Sequence, residues 1–226
     1  MVVGKGLLAN AFSHFQNDDS ILVFASGVSN SNSNDPIHFE REINLLNQYF
    51  NQKACLVYFS TVSIYDDSLL QSSYIIHKRK IEKLIQDNCS DYLIFRLPIL
   101  VGRTTNPHTL TNHLFHQIKN NKEVKVFVNA CRYLMDVDDV SKILSSIILN
   151  SNYHNKTLNI CFENKIKVPE LISLIEKITR KNCKKIILEK GDCYQVPNRE
   201  FLDYLKEIKF KEDESYNEKI LKKYYS

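Results

Sequence analysis

The sequence predicts an α/β fold: a doubly wound parallel sheet with helices on both faces. Three observations carry this expectation. Short apolar runs rich in β-branched and aromatic residues recur at 21–25, 55–59, 92–97 and 157–161. Stretches of helical periodicity lie between them, so strand and helix alternate. The chain also opens on Val2-Val3, then Gly4-Lys-Gly6-Leu7-Leu-Ala9, a glycine turn placed between a strand and a helix.

Composition bounds the rest. A length of 226 residues suits one domain of ordinary size and leaves room for a small appended lobe. At 43% hydrophobic residues the chain can build a real core, which argues against disorder. Thirty basic residues against 26 acidic ones give a net charge of +4, too balanced for a nucleic-acid footprint. It leans mildly toward anionic small molecules. No apolar run approaches the length of a membrane span, and the N-terminus lacks a charged-then-apolar leader. A cytoplasmic protein with no membrane and no nucleic-acid partner is therefore expected. The six cysteines include no C-x-x-C pair, and Cys55 and Cys161 lie in strand-like runs, so buried free thiols in a reducing cytosol are expected.

In chain order, the first helix runs from the glycine turn to near Phe15. In such a turn the first glycine permits the tight bend, the second lets a pyrophosphate approach the backbone, and the third position must be small. The helix N-terminus offers N–H groups to the phosphates. Ile21–Ala25 is the second strand, followed by a loop of turn formers, Ser26 to Asp35. Asp35 caps a helix with Pro36 at its first position, running to Phe50. Cys55-Leu-Val-Tyr-Phe is a buried strand that ends in two hydroxyls, Ser60 and Thr61. Ser72 and Ser73 are N-cap types and start a helix to about Gln86. Tyr92–Leu97 is a strand stopped by Pro98. Helix at 108–121, a short strand at 124–128, helix after an aspartate cap near 136–140, strand at 157–161, helix at 168–180 and strand at 184–188 follow, and the tail from Glu200 is helical in part.

Tyr74 and Lys78 are four apart and share a helix face. A tyrosine has a pKa of about 10, and a neighbouring ammonium favours the phenolate and lowers it. The tyrosine can then give a proton to a carbonyl under reduction, or take one in reverse. Thr61, at the end of the preceding strand, can hydrogen-bond the same oxygen. Thr61, Tyr74 and Lys78 are the candidate catalytic set. The spacing alone is unspecific, since Tyr49 and Lys53 match it too, but no hydroxyl-bearing strand precedes that pair. His108, His113 and His116 flank one helix, yet no carboxylate or cysteine shares their spacing, so no metal site is expected.

Taken in order, the motifs resemble the extended short-chain dehydrogenase/reductase superfamily, and within it the NAD-dependent epimerase/dehydratase group that modifies nucleotide sugars. Gly4-x-Gly6-x-x-Ala9 is similar to the cofactor turn, and Ala25-Ser26-Gly27-Val28 to the strand end under the cofactor. Ser60-Thr61-Val-Ser-Ile-Tyr65 resembles the stretch bearing the catalytic hydroxyl, and Tyr74-x-x-x-Lys78 the catalytic pair. Phe95-Arg96-Leu97-Pro98 resembles the strand end beside the nicotinamide, and Arg132 to Val140 the segment whose arginine grips the nucleotide-sugar phosphates. Read from the residues alone, Arg132 could instead pair with Asp136 or Asp138.

The resemblance implies a Rossmann-like fold binding NAD or NADP. The implied cofactor contacts are Gly4, Gly6, Leu7, Ala25, Ser26, Gly27, Tyr74, Lys78 and Pro98. Thr61 and Arg132 are the implied substrate contacts, and a homodimer is one implied assembly. Residues 1–160 would form the dinucleotide domain, with 124–128 serving the substrate side, and 161–226 a small C-terminal substrate lobe. One departure stands out. The family usually carries a strand, a helix and a further strand between its first helix and the strand matching Ile21. Here five residues, Gln16 to Ser20, fill that interval. The sheet is expected to be abbreviated in its adenosine-binding half.

The expectation is an NAD(P)-dependent reductase or epimerase acting on a nucleotide-linked keto sugar in surface-polysaccharide synthesis, with Tyr74 as general acid or base. The alternative is a degenerate member serving as a binding or regulatory module without turnover.

Overall fold

Five parallel strands form the central sheet: β1 (Val2–Val3), β2 (Ile21–Phe24), β3 (Cys55–Thr61), β4 (Tyr92–Leu97) and, at the far edge, β9 (Lys156–Asn159). The computed structural model describes residues 1–150 and 153–226. Successive side chains of a strand face opposite sides, and here the two sides hold different helices. Leu22, Phe24, Leu56, Tyr58 and Ile94 meet Leu46 of α2 (Pro36–Asn47) and Ile81 and Ile85 of α3 (Ser73–Asn88). Val23, Val57, Phe59, Leu93 and Phe95 face the other way. They share a core with Phe12, just past α1 (Leu7–Ala11), and with Val140, Ile143, Leu144 and Ile147 of α5 (Val137–Ile148). The architecture is Rossmann-like.

The helix starts follow from local chemistry. The Asp35 carboxylate accepts from the Ile37 N–H, with Pro36 at the first helical position of α2. The Ser72 hydroxyl accepts from the Ile75 N–H at the start of α3. Asp136 does the same for α5 through the Asp138 N–H.

Strand order β1-β2-β3-β4-β9 places β1 at an edge, and no further strand pairs beyond it among the described residues. The loop after α1 is too short to hold the additional strands that would extend the sheet on that side. The abbreviated half expected from the sequence is present in this form.

Three two-stranded sheets complete the fold: β5 (Ile99–Val101) with β8 (Leu134–Asp136), β6 (Val124–Phe127) with β11 (Lys185–Leu188), and β7 (Cys131–Arg132) with β10 (Ile166–Lys167). Four helices remain, α4 (Leu110–Lys119), α6 (Val168–Thr179), α7 (Arg199–Glu207) and α8 (Tyr216–Tyr225). Their buried faces, including Leu114, Leu171, Phe201 and Leu221, join the same cluster as the sheet side chains. The core thus runs without a break across residue 160. Helix α8 is tied to the start of α5: the Tyr216 hydroxyl donates to Asp139 and accepts the Asp136 N–H, and the Tyr224 hydroxyl donates to Asp136.

The cysteines depart from expectation. Cys131 and Cys193 form a disulfide across 62 residues, whereas Cys55, Cys89, Cys161 and Cys183 are free. The β7 strand brings Cys131 beside the 190–194 segment, where its N–H also donates to the Asp192 carbonyl. No spacing rule in the sequence marks that pair.

Candidate active site

The carboxyl ends of β1 to β4 converge on one edge of the sheet. At β1 the chain turns through Gly4, whose φ of +134° is a conformation that L side chains rarely adopt. A Cβ there would stand 2.5 Å from the Ala25 carbonyl oxygen, so the turn is pressed against the end of β2. The segment Ala25-Ser26-Gly27 is held from its other side by α2, where the Arg41 guanidinium donates to the Ser26 hydroxyl and carbonyl. A Cβ on Gly27 would lie 2.9 Å from both Lys78 Nζ and Glu42 Oε1. Glycine turn, β2 end and Lys78 are thus packed in series, which brings Gly4 and the Ala25–Gly27 segment to the same edge as the candidate catalytic set.

Thr61 ends β3. Its hydroxyl oxygen accepts from the Ser63 N–H, capping a short 3-10 turn, and is close enough to the Tyr74 hydroxyl to favour the phenolate. The helix α3 carries both Tyr74 and Lys78 inward, as the four-residue spacing requires. Tyr74 is buried, and Lys78 Nζ lies 5.9 Å from the centre of its ring. Ser60, the neighbouring hydroxyl, turns instead to Glu82, which also takes a forked pair of hydrogen bonds from Arg96. Pro98 sits immediately past the end of β4.

The sequence reading missed Glu42. It lies on α2 with no exposed surface, and four groups converge on its carboxylate. Tyr58 donates at 2.6 Å, the Val28 N–H at 2.6 Å and His77 Nε2 at 2.9 Å, and Lys78 Nζ lies 3.4 Å away. Lys78 in turn donates to the Tyr58 hydroxyl at 2.8 Å. Because a carboxylate can only accept, the His77 proton resides on Nε2. Burial alone would raise the Glu42 carboxyl, but the Lys78 charge and these hydrogen bonds bring it down to about 2. One signal was available: Glu42 interrupts the apolar positions 39, 43 and 46 on a helix face turned to the sheet.

This pairing reverses one expectation. Lys78 was to lower the pKa of Tyr74. Instead the phenol lies well above its ordinary value, first because of burial and then because of the Glu42 charge, with the Thr61 hydroxyl pulling the other way. The ammonium is itself shifted below the ordinary lysine range by burial, against the opposing pull of Glu42.

Arg132 is partnered by neither Asp136 nor Asp138. It donates to the Cys131 carbonyl at 2.7 Å, and its Nη1 lies 3.5 Å from Asp66 Oδ2. Asp66 is fully buried, and that oxygen has no hydrogen-bond partner of good geometry. Asp136 and Asp138 pair instead with Lys223. No cluster of three or more His, Cys, Asp or Glu able to hold a metal occurs among the described residues, and His108, His113 and His116 take no part in one.

A dinucleotide fits this edge in part. Nothing lies within 4 Å of the place a Cβ on Gly6 would take, so the backbone of the turn is open to close approach. The turn opens on a cleft of about 640 Å³, whose walls include Lys5, Asn10, Arg103, His116 and Tyr224 and no carboxylate. Gly6 and Leu7 would face the diphosphate, and Gly27, Tyr74, Lys78 and Pro98 the nicotinamide half. Beyond the glycine turn β1 is the last strand among the described residues, so no strand walls that side.

The family model for the NAD dependent epimerase/dehydratase family matches residues 5–161. No curated protein matches the chain by sequence. Among solved structures, a UDP-glucuronic acid 4-epimerase from Bacillus cereus, in complex with UDP-glucuronic acid and NAD, matches with a TM-score of 0.72 at 17% identity. The match covers 98% of this chain and 79% of that one. RMD from Pseudomonas aeruginosa, complexed with NADPH, gives 0.69 at 14% identity, covering 99% of this chain and 87% of that one. A dTDP-4-dehydrorhamnose reductase from Clostridium acetobutylicum gives 0.68 at 16%, covering 96% and 84%. At these identities the likeness is one of fold.

Proposed function

Because this chain belongs to the NAD dependent epimerase/dehydratase family, we propose that it is an NAD(P)-dependent reductase or epimerase of a nucleotide-linked keto sugar, serving surface-polysaccharide synthesis. The observation that carries the reading is the convergence of Thr61, Tyr74 and Lys78 on the edge where Gly27 and the glycine turn are packed. When bound, the nicotinamide supplies or removes the hydride at the sugar carbon. Tyr74 holds the proton that moves to or from the sugar oxygen, and Thr61 fixes that oxygen in place. Residues 1–160 would hold the dinucleotide. The 161–226 lobe, with β6, would hold the sugar nucleotide, with Arg132 offering a planar donor pair to its diphosphate.

A cytoplasmic site of action fits a nucleotide-sugar substrate and the four free thiols. The Cys131–Cys193 bridge is one that cytosolic reductants would tend to open. No helix among the described residues is long and apolar enough to cross a membrane. A homodimer remains part of the proposal through the family resemblance alone.

The test is a titration of NADH and NADPH followed by nicotinamide fluorescence, then assay with nucleotide-linked 4-keto sugars. Saturable binding, with turnover abolished in Tyr74→Phe and affinity retained, is the expected outcome. The reduced adenosine side favours the second reading, a binding module without turnover. No saturable binding up to millimolar cofactor would select it.

A further inference from the structure

The cleft beside the glycine turn holds two cations that the mechanism above does not use. Lys5 and Arg103 both line it and both are exposed. Neither side chain has a hydrogen bond or ion pair among the described residues. The walls carry no carboxylate, and in the adjoining recess Asp138 is already met by Lys223. Arg132 differs in this respect. Its Nη1 is engaged by the Cys131 and Asp192 carbonyls and lies 3.5 Å from Asp66.

The loop that carries Arg103 is fixed on both sides of it. Gly102 is wedged between two helices: a Cβ there would stand 2.7 Å from Val137 Cγ1 on α5 and 2.9 Å from Leu7 Cδ1 on α1. After Arg103 the buried Asn112 amide takes over, donating to the Thr104 carbonyl at 3.2 Å and the Asn106 carbonyl at 2.8 Å. The Asn112 oxygen accepts in turn from the Tyr225 hydroxyl at 2.5 Å, and that hydroxyl also reaches Thr111 at 2.9 Å. Helix α8 thus holds α4, and α4 holds the loop. The guanidinium stands on a backbone that is already ordered, so an arriving anion need not order it.

We propose that this cleft is a nucleoside-diphosphate pocket, with Arg103 and Lys5 on the phosphates. The Gly6 backbone, open to close approach, lies beneath them, and the half-buried rings of Phe115 and Tyr224 wall the base. A guanidinium matches two phosphate oxygens at once, whereas the ammonium adds a point charge. The volume of about 640 Å³ is that of an ordinary small-molecule site. The proposal rests on the redox reading above and deepens it. Two ligands of that reaction carry the same chemistry, the ADP part of a dinucleotide and the diphosphate of a sugar nucleotide.

The experiment is calorimetric titration of the cofactor-free protein with ADP, with UDP and with inorganic phosphate. Wild type should bind at least one of the two nucleotides saturably, and more tightly than inorganic phosphate. Arg103→Ala should weaken that nucleotide at least about tenfold, and Arg103→Lys, which keeps the charge and loses the fork, should fall between. Melting temperatures should not move, because the Arg103 side chain is exposed and without a partner. A loss confined to ADP places the dinucleotide in the cleft, and one confined to UDP places the sugar nucleotide there; either supports the proposal. Equal nucleotide affinities in wild type and Arg103→Ala overturn it. So does inorganic phosphate binding as tightly as the nucleotides, or no binding of ADP or UDP up to millimolar concentration. Failure of the redox reading shows separately, as absence of nicotinamide binding while Arg103-dependent binding of ADP or UDP persists. Nicotinamide binding alongside ADP and UDP affinities indifferent to Arg103 leaves that reading standing and overturns this one.

Discussion

Lys78 Nζ lies 2.8 Å from the Tyr58 hydroxyl, and the proton of that hydroxyl goes to Glu42. Tyr58 is therefore a bridge between the two buried charges, accepting from one and donating to the other. Tyr58→Phe removes both hydrogen bonds and keeps the ring that packs beneath α2 and α3. It should destabilise the protein by about 1–3 kcal/mol, the cost of leaving buried polar groups short of a partner. Urea unfolding should show a lower midpoint at an unchanged slope. An unchanged midpoint would mean that the network adds nothing to stability.

The same network sets an acid limit. Glu42 has its carboxyl held at about 2 in the folded protein against an ordinary value of 4.5. A depressed carboxyl stabilises the fold above the unfolded pKa, and that stability is lost as pH falls through the folded one. The loss should fall between about pH 4.5 and pH 2 and amount to something on the order of 3 kcal/mol. Urea midpoints across this range should fall with pH in wild type and much less steeply in Glu42→Gln. Parallel slopes would place the acid sensitivity elsewhere.

Two glycines six residues from the N-terminus or nearer should separate folding from binding. Gly4→Ala places a Cβ 2.5 Å from a backbone oxygen at a φ of +134°, and neither atom can move without shifting β1 or β2. A large loss of thermal stability, or of soluble protein, is expected. Gly6→Ala meets nothing within 4 Å, so its melting temperature should match wild type. If a diphosphate approaches that backbone, nicotinamide affinity should nonetheless fall at least about tenfold, roughly 1.4 kcal/mol. Unchanged affinity would move the dinucleotide off the turn.

These contrasts mark what the sequence could and could not disclose. Gly4, Gly6 and Ala9 have fixed spacing in a continuous segment, and Tyr74 and Lys78 lie one helical turn apart, so local geometry dictates how each group is arranged. The missing strands were legible because five residues cannot hold them. Glu42 was not, since its partners Val28, Tyr58, His77 and Lys78 come from three other segments and meet only when α2 and α3 pack on one face of the sheet. The reversed direction for Tyr74 has the same origin: pairwise spacing reveals the lysine, but not the carboxylate that offsets it. The Cys131–Cys193 pair is a long-range contact as well, and six cysteines without a spacing motif leave connectivity open.

That bridge makes a countable prediction. Denatured, unreduced protein should expose four thiols to a thiol reagent and reduced protein six. Cys193 is exposed, so mild reductant should reach it in the folded state. Closing a loop of 62 residues restricts the unfolded chain by about 4 kcal/mol in the loop-entropy account. Reduction, or Cys193→Ser, should lower the melting temperature accordingly. Six thiols in protein prepared without reductant would show the bridge to be open.

Arg132 can be given its role by a pair of substitutions. Its guanidinium is the cation nearest the buried Asp66 carboxylate, at 3.5 Å. Arg132→Ala should therefore unfold more readily by about 3–5 kcal/mol, because a buried charge loses its counter-charge. Asp66→Asn removes that charge, so Arg132→Ala/Asp66→Asn should recover most of the loss. The two roles then come apart. If Arg132 also grips a diphosphate, the stable double variant should bind a nucleotide sugar at least about tenfold more weakly than Asp66→Asn alone. Equal affinities would confine Arg132 to neutralising Asp66 and take the phosphate contact from it.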